Sequence, residues 1–161
     1  AMRDVQKIIA TDQDDRAIAC AKENIVLLKL DSEVEIVKAN LFPAGKAALI
    51  VCNPPWVPAR PSSTLEHAVY DPDSQMLKGF LDGLKNHLLP EGEGWLILSD
   101  LAEHLGLRSR QELLGWIDRA DLKVISRIDT KPKHSKPFDQ SDLLYFARSA
   151  ETTSLWRLEV K

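Results

Sequence analysis

The sequence has few cysteines, no long apolar run and no excess of basic residues. Its only two cysteines, Cys20 and Cys52, form no CxxC pair, which excludes a disulfide framework and a cysteine zinc site. No apolar run is long enough to cross a membrane, and the formal net charge is −3, so any nucleic-acid surface must be local. We therefore expect a cytoplasmic protein with no membrane partner, whose two thiols are buried and reduced.

The composition fits one globular domain, since 44% of the 161 residues are hydrophobic and 28% are charged. Strand-like apolar runs alternate with helix-like periodic segments along the chain, which is typical of an α/β fold. The first four strands are expected to be parallel, and the last two are expected to pair antiparallel at one edge. We predict these strands at about 5–10, 34–38, 48–52, 95–99, 122–128 and 153–160. The sequence thus predicts a single α/β domain over residues 1–161.

Helix signals fill the segments between the strands. Asp14 or Asp15 can cap a helix directly after the first strand, because a side-chain oxygen can accept from the free amides of a first turn. A longer amphipathic helix is expected to end at Pro90, so that a glycine-rich turn over residues 91–94 precedes the fourth strand. The last helix is predicted over residues 142–150.

The most informative stretch is Asn53-Pro54-Pro55-Trp56, which directly follows the apolar run over residues 47–52. Such a run is typical of a buried parallel strand, and the prolines end it because they cannot donate to a ladder. Asn53 is therefore expected at the carboxyl end of a strand, where open α/β sheets bind ligands. Its oxygen and the Pro54 carbonyl can accept the hydrogens of a planar amide or amino group, while Trp56 stacks on its face. The alternative is a proline-rich turn after a core strand.

A second candidate follows the first strand. Asp12 comes directly after an apolar run and before an alanine-rich helical pattern that reaches Asn24. An acidic residue in this place of a nucleotide-binding fold can accept hydrogen bonds from both ribose hydroxyls. The alternative is a solvated aspartate in a helix-capping turn.

Both patterns resemble those of class I S-adenosylmethionine-dependent methyltransferases that modify amino groups. Two apolar residues, one free position and Asn-Pro-Pro-aromatic match motif IV of that family, and the segment over residues 8–24 matches its acidic motif. The resemblance implies S-adenosylmethionine as the cofactor. It also implies that Asp12 binds the cofactor ribose and that Gln13, Asn40 and Leu41 lie beside the adenine.

The resemblance further implies the chemistry. S-adenosylmethionine carries an activated methyl group, so an in-line attack chiefly requires a well-positioned acceptor nitrogen. The catalytic residues would be Asn53, Pro54, Pro55 and Trp56, with no general base. The acceptor could be a glutamine amide in a protein or an exocyclic amine of a nucleic-acid base. The alternative is a degenerate domain that binds a partner without catalysis.

The resemblance implies a Rossmann-like methyltransferase sheet, mostly parallel, with an antiparallel C-terminal hairpin. The family's first strand and its acidic-x-Gly-x-Gly loop have no match in this sequence, and the family places that strand between its second and fourth strands. We therefore expect an N-terminally incomplete sheet, which indicates a fragment, a gene start assigned too late, or a rearranged sheet that a partner completes. Such a chain should bind the cofactor weakly and turn over nothing, and its exposed sheet edge should favour self-association.

Two loops carry weaker candidates. Glu66, Tyr70 and Asp71 follow motif IV, where they either shape a substrate pocket or are solvated. A small basic patch in a later loop either contacts phosphate or is solvated. It comprises Lys131, Lys133, His134 and Lys136. The four histidines show no ligand spacing, so no metal site is predicted.

Overall fold

The computed structural model describes residues 5–30, 33–58, 70–131 and 145–161, with Tyr145 described by its backbone alone. The chain divides into two compact units, Ala1–Gly45 and Lys46–Lys161, and each is described by itself. The single domain expected over residues 1–161 stays a prediction.

The first unit is a pair of parallel strands joined by a helix. Strand β1 (Ile8–Asp12) leads into helix α1 (Asp15–Leu27), which returns the chain to strand β2 (Val34–Lys38). The predicted capping is confirmed for Asp14, whose carboxylate accepts from two amides of the first turn of α1. Of the described residues of α1, Ile18 alone is buried, so this helix has a narrow core face.

The two cysteines have different environments. Cys52, the last residue of the third strand, is buried as predicted, whereas Cys20 on α1 is exposed, so the prediction for Cys20 was wrong. Cys20 follows the buried Ile18 by two positions, and residues with this spacing lie on different faces of a helix.

The second unit contains a four-stranded mixed sheet. Its strands are β3 (Ala47–Cys52), β4 (Leu88–Ser99), β5 (Leu122–Thr130) and β6 (Thr153–Val160), in the order β3-β4-β6-β5. Strands β3 and β4 are parallel, and β6 is antiparallel to both of its neighbours. The antiparallel pairing of the last two strands is confirmed. The four-stranded sheet is mixed rather than mostly parallel, because β6 inserts between β4 and β5 and is antiparallel to both.

Among the described residues, four helices accompany this sheet, and a 3₁₀ turn at Pro72–Ser74 precedes the first of them. They are α2 (Gln75–His87), α3 (Leu101–His104), α4 (Arg110–Arg119) and α5 (Tyr145–Ala150). Residues 142–144 of the last predicted helix lie outside the part of the chain that the structure describes. None of the helices in the described part is long and apolar enough to cross a membrane.

The expected turn over residues 91–94 is part of β4, which starts at Leu88. These residues form an irregularity in the pairing of β3 with β4. Ala47 pairs with Leu88, whereas Leu49 pairs with Glu93, so β4 contains extra residues at this point. A Cβ at Gly92 would come within 2.9 Å of the Leu89 carbonyl oxygen, so this tight passage of the backbone requires glycine.

Helix α2 covers β4 with an apolar face, and the core of the second unit lies between them. Leu77, Leu81 and Leu84 of α2 are fully buried, as is Leu96 of β4. The helix approaches the strand so closely that a Cβ at Gly94 would lie 2.1 Å from a methyl carbon of Leu84. This packing fixes the position of β4, and with it the position of β3 alongside.

Among the described residues, β1 pairs with β2 alone and β3 pairs with β4 alone, so each of these strands has one unpaired edge. On β3, Leu49 is 45% exposed and Val51 is 54% exposed. Unpaired edges next to apolar side chains favour pairing with a further strand. The incomplete sheet expected from the resemblance, and self-association through its edge, stay predictions.

A cross-strand ion pair on β4 and β6 gives a testable dependence of stability on pH. Hydrogen bonds from Arg157 and, less strongly, Trp95 lower the pKa of Glu93 from its ordinary 4.5 to about 2. The resulting stabilisation is fully present above pH 4.5 and is lost as the pH falls toward 2. We expect Glu93→Gln to flatten the pH dependence of the unfolding free energy in this window, measured by urea denaturation. Trp95→Phe, which removes one donor, should give an intermediate profile, and a Glu93→Gln profile identical to wild type would contradict the assignment.

Candidate functional site

Strand β3 places the Asn-Pro-Pro-Trp stretch at its carboxyl end, as predicted. Asn53 is exposed, Pro54 is fully buried, and Pro55 and Trp56 are half-buried. The Trp56 Nε1–H donates to Asn53 Oδ1 over 2.9 Å. Because the indole nitrogen can act as a donor and not as an acceptor, the contacting atom of Asn53 is its carbonyl oxygen. Trp56 therefore orients the Asn53 amide and occupies one of the two lone pairs of its oxygen.

The residue after Trp56 is tied to the end of the following loop. Val57 and Tyr70 form a parallel bridge, and the Asp71 N–H donates to the Val57 carbonyl over 2.8 Å. Asp71 is 5% exposed, and its two carboxylate oxygens accept from the amides of Met76 and Leu77. The buried carboxylate is thus engaged inside the fold and is not a solvated loop residue.

Tyr70 is half-buried beside this bridge, whereas Glu66 lies outside the described residues. The sequence placed both residues with Asp71 in one loop that shapes a pocket or is solvated. In the structure, Asp71 has a role in holding the fold together, which neither of the two predicted alternatives for this loop describes.

Cys52, directly before Asn53, has a buried thiol. Burial, and to a smaller extent the nearby negative charge of Asp71, raise the pKa of this thiol to about 12. The thiol is therefore protonated at neutral pH, and thiols react chiefly as thiolates.

The predicted cofactor residues of the first unit lie at the carboxyl ends of two adjacent parallel strands. Asp12 ends β1, Asn40 follows β2 by two residues, and the Ala39 N–H donates to the Asp12 carbonyl over 3.0 Å. Asp12, Gln13 and Asn40 are exposed, and Leu41 is half-buried. The unit thus brings together Asp12, Gln13, Asn40 and Leu41, although their roles in binding stay predictions.

Thr11 is a residue of this cluster that the sequence reading missed. Its hydroxyl donates to the Leu41 carbonyl over 2.8 Å, and Leu41 has a left-handed φ of 68°. That conformation is unfavourable for a bulky residue, so an anchor that holds it is needed. The feature of the sequence that could have indicated Thr11 is its hydroxyl group, directly before the candidate Asp12. One Asp12 oxygen accepts from the Asp14 amide over 2.8 Å, which fixes the carboxylate and leaves its second oxygen for a ligand.

The first residue of the basic loop, Lys131, is exposed but hydrogen-bonded to another segment of the unit. Lys131 Nζ donates to the Ala150 carbonyl over 2.8 Å and to Thr152 Oγ1 over 3.0 Å, so it anchors the segment that enters β6. Lys133, His134 and Lys136 lie outside the described residues. Within the described ranges, no group of histidine, cysteine or acidic side chains is arranged to hold a metal ion.

Comparison with known proteins gives one family and a set of similar folds. The profile of the family described as "UPF0020: RMKL-like, methyltransferase domain" matches residues 1–105, which is more than half of the chain. No curated protein matches the sequence at a significant level.

Several solved structures share the fold at low sequence identity. A ribosomal protein L11 methylase from Lactobacillus delbrueckii subsp. bulgaricus matches with a TM-score of 0.61 and 16% identity, over 98% of this chain and 59% of that one. A tRNA m1G37 methyltransferase from M. jannaschii matches with a TM-score of 0.58 and 15% identity, over 97% of this chain and 36% of that one. TrmN from Thermus thermophilus matches with a TM-score of 0.56 and 17% identity, over 96% of this chain and 36% of that one. The chain therefore spans between about one third and three fifths of the length of these three structures.

Proposed function

Since the chain belongs to the RMKL-like methyltransferase domain family, we propose that its residues take part in methyl transfer from S-adenosylmethionine to a planar amide or amino nitrogen. The observation that carries the proposal is the exposed Asn53 amide at the carboxyl end of β3, held in one orientation by Trp56. The position is the one at which open α/β sheets bind their ligands.

Asn53 would position the acceptor nitrogen. Its oxygen has one lone pair bonded to Trp56 and a second lone pair that can accept a hydrogen of the acceptor amine. The buried Pro54 restricts the backbone next to it, so its carbonyl can supply a second fixed acceptor. Two oxygens that accept from the amine also favour the positive charge that develops on the nitrogen as it attacks. Trp56 would clamp the planar group, and no general base is required.

The adenosine half of S-adenosylmethionine fits the residues that the first unit brings together. Asp12 offers an exposed carboxylate for the ribose hydroxyls, and Asn40 offers an amide for the adenine, with Gln13 and Leu41 beside it. S-adenosylmethionine would supply the activated methyl group when bound. The seven glycines of the sequence form no acidic-x-Gly-x-Gly pattern, so the residues of this chain account for the adenosine half alone.

The class of acceptor is either a protein glutamine or a nucleic-acid base, and methylation of a protein and methylation of a nucleic acid both occur among proteins with similar folds. The similar structures comprise a methylase of a ribosomal protein and methyltransferases of tRNA. Neither the net charge of −3 nor the loop at Lys131 decides between them, since the Lys131 ammonium is already hydrogen-bonded to the segment before β6.

A transfer assay with methyl-labelled S-adenosylmethionine tests the proposed function. The full-length gene product is incubated with total tRNA, ribosomal RNA and ribosomal proteins in separate reactions. We expect label in one class of acceptor, released by nuclease or by protease accordingly, and stable in mild base because the methyl is bonded to nitrogen. Label that is lost in mild base indicates a methyl ester and would contradict the nitrogen acceptor. Binding of an acceptor without transfer of label would instead favour the degenerate binding domain.

A further inference from the structure

The second unit contains several buried polar residues besides those of its hydrophobic core. Ser99, at the carboxyl end of β4, donates its hydroxyl to Glu151 over 2.6 Å, and its carbonyl accepts weakly from Arg108 Nη2 over 3.4 Å. Asp71, Ser99, Arg108 and Glu151 are each at most 5% exposed. Buried polar groups are costly unless they are paired, so a cluster of them indicates a specific structural requirement.

Asp71 joins two parts of this region, the residue after Trp56 and the start of α2. Its backbone N–H holds Val57, the residue after Trp56, and its carboxylate holds the first turn of α2 through the amides of Met76 and Leu77 at 2.9 and 3.1 Å. Helix α2 is itself fixed by its buried leucines. Through Asp71, the chain that leaves Trp56 is therefore attached to the rigid core of the unit.

The backbone between Asp71 and α2 is strained. Asp73 and Ser74 are consecutive non-glycine residues with left-handed φ angles of 55° and 54°. Such conformations cost roughly 1–3 kcal/mol each and persist where the surroundings enforce them. The two hydrogen bonds of the Asp71 carboxylate span this strained pair and so compensate for it. Strain of this kind clusters at functional sites.

The negative charge of Asp71 affects the pKa values of two buried groups, Cys52 and Arg108. It raises the pKa of the Cys52 thiol, after burial as the main cause, so it lies near the residue that precedes Asn53. It also opposes the lowering of the Arg108 pKa that burial causes. The carboxylate thus interacts electrostatically with a residue at the end of β3 and with a buried cation.

We propose that Asp71 is a positioning residue for the acceptor site, because it ties Val57 to the first turn of α2 and so keeps Trp56 hydrogen-bonded to Asn53. Its effect on catalysis rests on the proposed function, whereas its effect on Trp56 does not. Methyl transfer by positioning depends on small displacements, since a misplacement of about 1 Å can cost roughly 10²-fold in rate.

The test observes Trp56 directly in the full-length gene product labelled with 5-fluorotryptophan. The chain has four tryptophans, and the ¹⁹F resonance that Trp56→Phe removes belongs to Trp56. We expect Asp71→Ala to shift that resonance by more than its linewidth or to broaden it. Ser109→Ala is the matched control, because it removes a helix cap of the same unit, at the start of α4, and should leave the Trp56 resonance in place. If Asp71→Ala does not fold, Asp71→Asn, which keeps one oxygen acceptor, makes the same comparison.

Kinetic measurements distinguish a failure of this proposal from a failure of the proposed function. Where wild type transfers methyl groups, Asp71→Ala should lower kcat by up to about 10²-fold with little change in the KM for S-adenosylmethionine. If wild type transfers none, the proposed function fails while the resonance still reports on the positioning role. A Trp56 resonance that is unchanged in Asp71→Ala, or an unchanged kcat in an active enzyme, would show that Asp71 is only a helix cap.

Discussion

Replacing Asn53 by alanine is expected to lower the rate of methyl transfer about 10²–10³-fold, because loss of one oriented hydrogen-bonding group at a reacting centre typically has this effect. The variant loses the oxygen that we propose accepts from the acceptor amine, which is also the hydrogen-bond partner of the Trp56 indole N–H. The measurement is the turnover of methyl-labelled S-adenosylmethionine by the full-length gene product with its acceptor.

Two further variants make the result specific to Asn53. Asn53→Asp keeps an oxygen acceptor and should retain much more activity than alanine. Asn86→Ala removes another exposed asparagine, on α2, and should not change turnover. Unchanged turnover of Asn53→Ala would refute the assignment of the acceptor site.

Replacing Asp12 by alanine is expected to weaken the binding of S-adenosylhomocysteine by about one to two orders of magnitude. A hydrogen bond to a charged group contributes roughly 1.5–3 kcal/mol, and each 1.4 kcal/mol corresponds to about a tenfold change in affinity. Isothermal titration calorimetry of the full-length gene product measures this difference. The turnover of bound cofactor should change less than its affinity, because Asp12 is proposed to bind the ribose and not the reacting methyl.

Asp15→Ala is the matched control for Asp12. Asp15 is an exposed carboxylate in the first turn of α1, three residues further along, and it pairs with Lys38 over 2.7 Å. Its removal changes the net charge by the same amount without changing the candidate ribose site. Equal losses of affinity in both variants would indicate a general charge effect and would contradict the role of Asp12.

Several features of the chain follow from local patterns in the sequence. The bounds of β2 and β6 agree with the predicted 34–38 and 153–160, and β3 differs by one residue. Asn53 lies at the end of its strand because the apolar run and the two prolines define that end without help from distant residues. The Asp14 cap is likewise a contact within one turn of chain. The sequence by itself therefore determined where Asn53 and the Asp14 cap lie, whereas β1, predicted at about 5–10, spans Ile8–Asp12 and includes Asp12 as its last residue.

Other features required the tertiary structure, since they depend on contacts between distant segments. The position of β6 between β4 and β5 makes the sheet mixed. Residues 91–94, which were expected to form a turn, belong to a strand because β4 pairs with β3 along this stretch. From the sequence, Trp56 was predicted to stack on the acceptor group, and the hydrogen bond from its indole N–H to Asn53 was not predicted. The sequence placed Asp71 in a loop, whereas the fold buries its carboxylate at the start of α2. Periodicity and turn chemistry report on neighbours within a few residues, but burial and hydrogen-bond partners at these positions are set by where α2 and β4 pack.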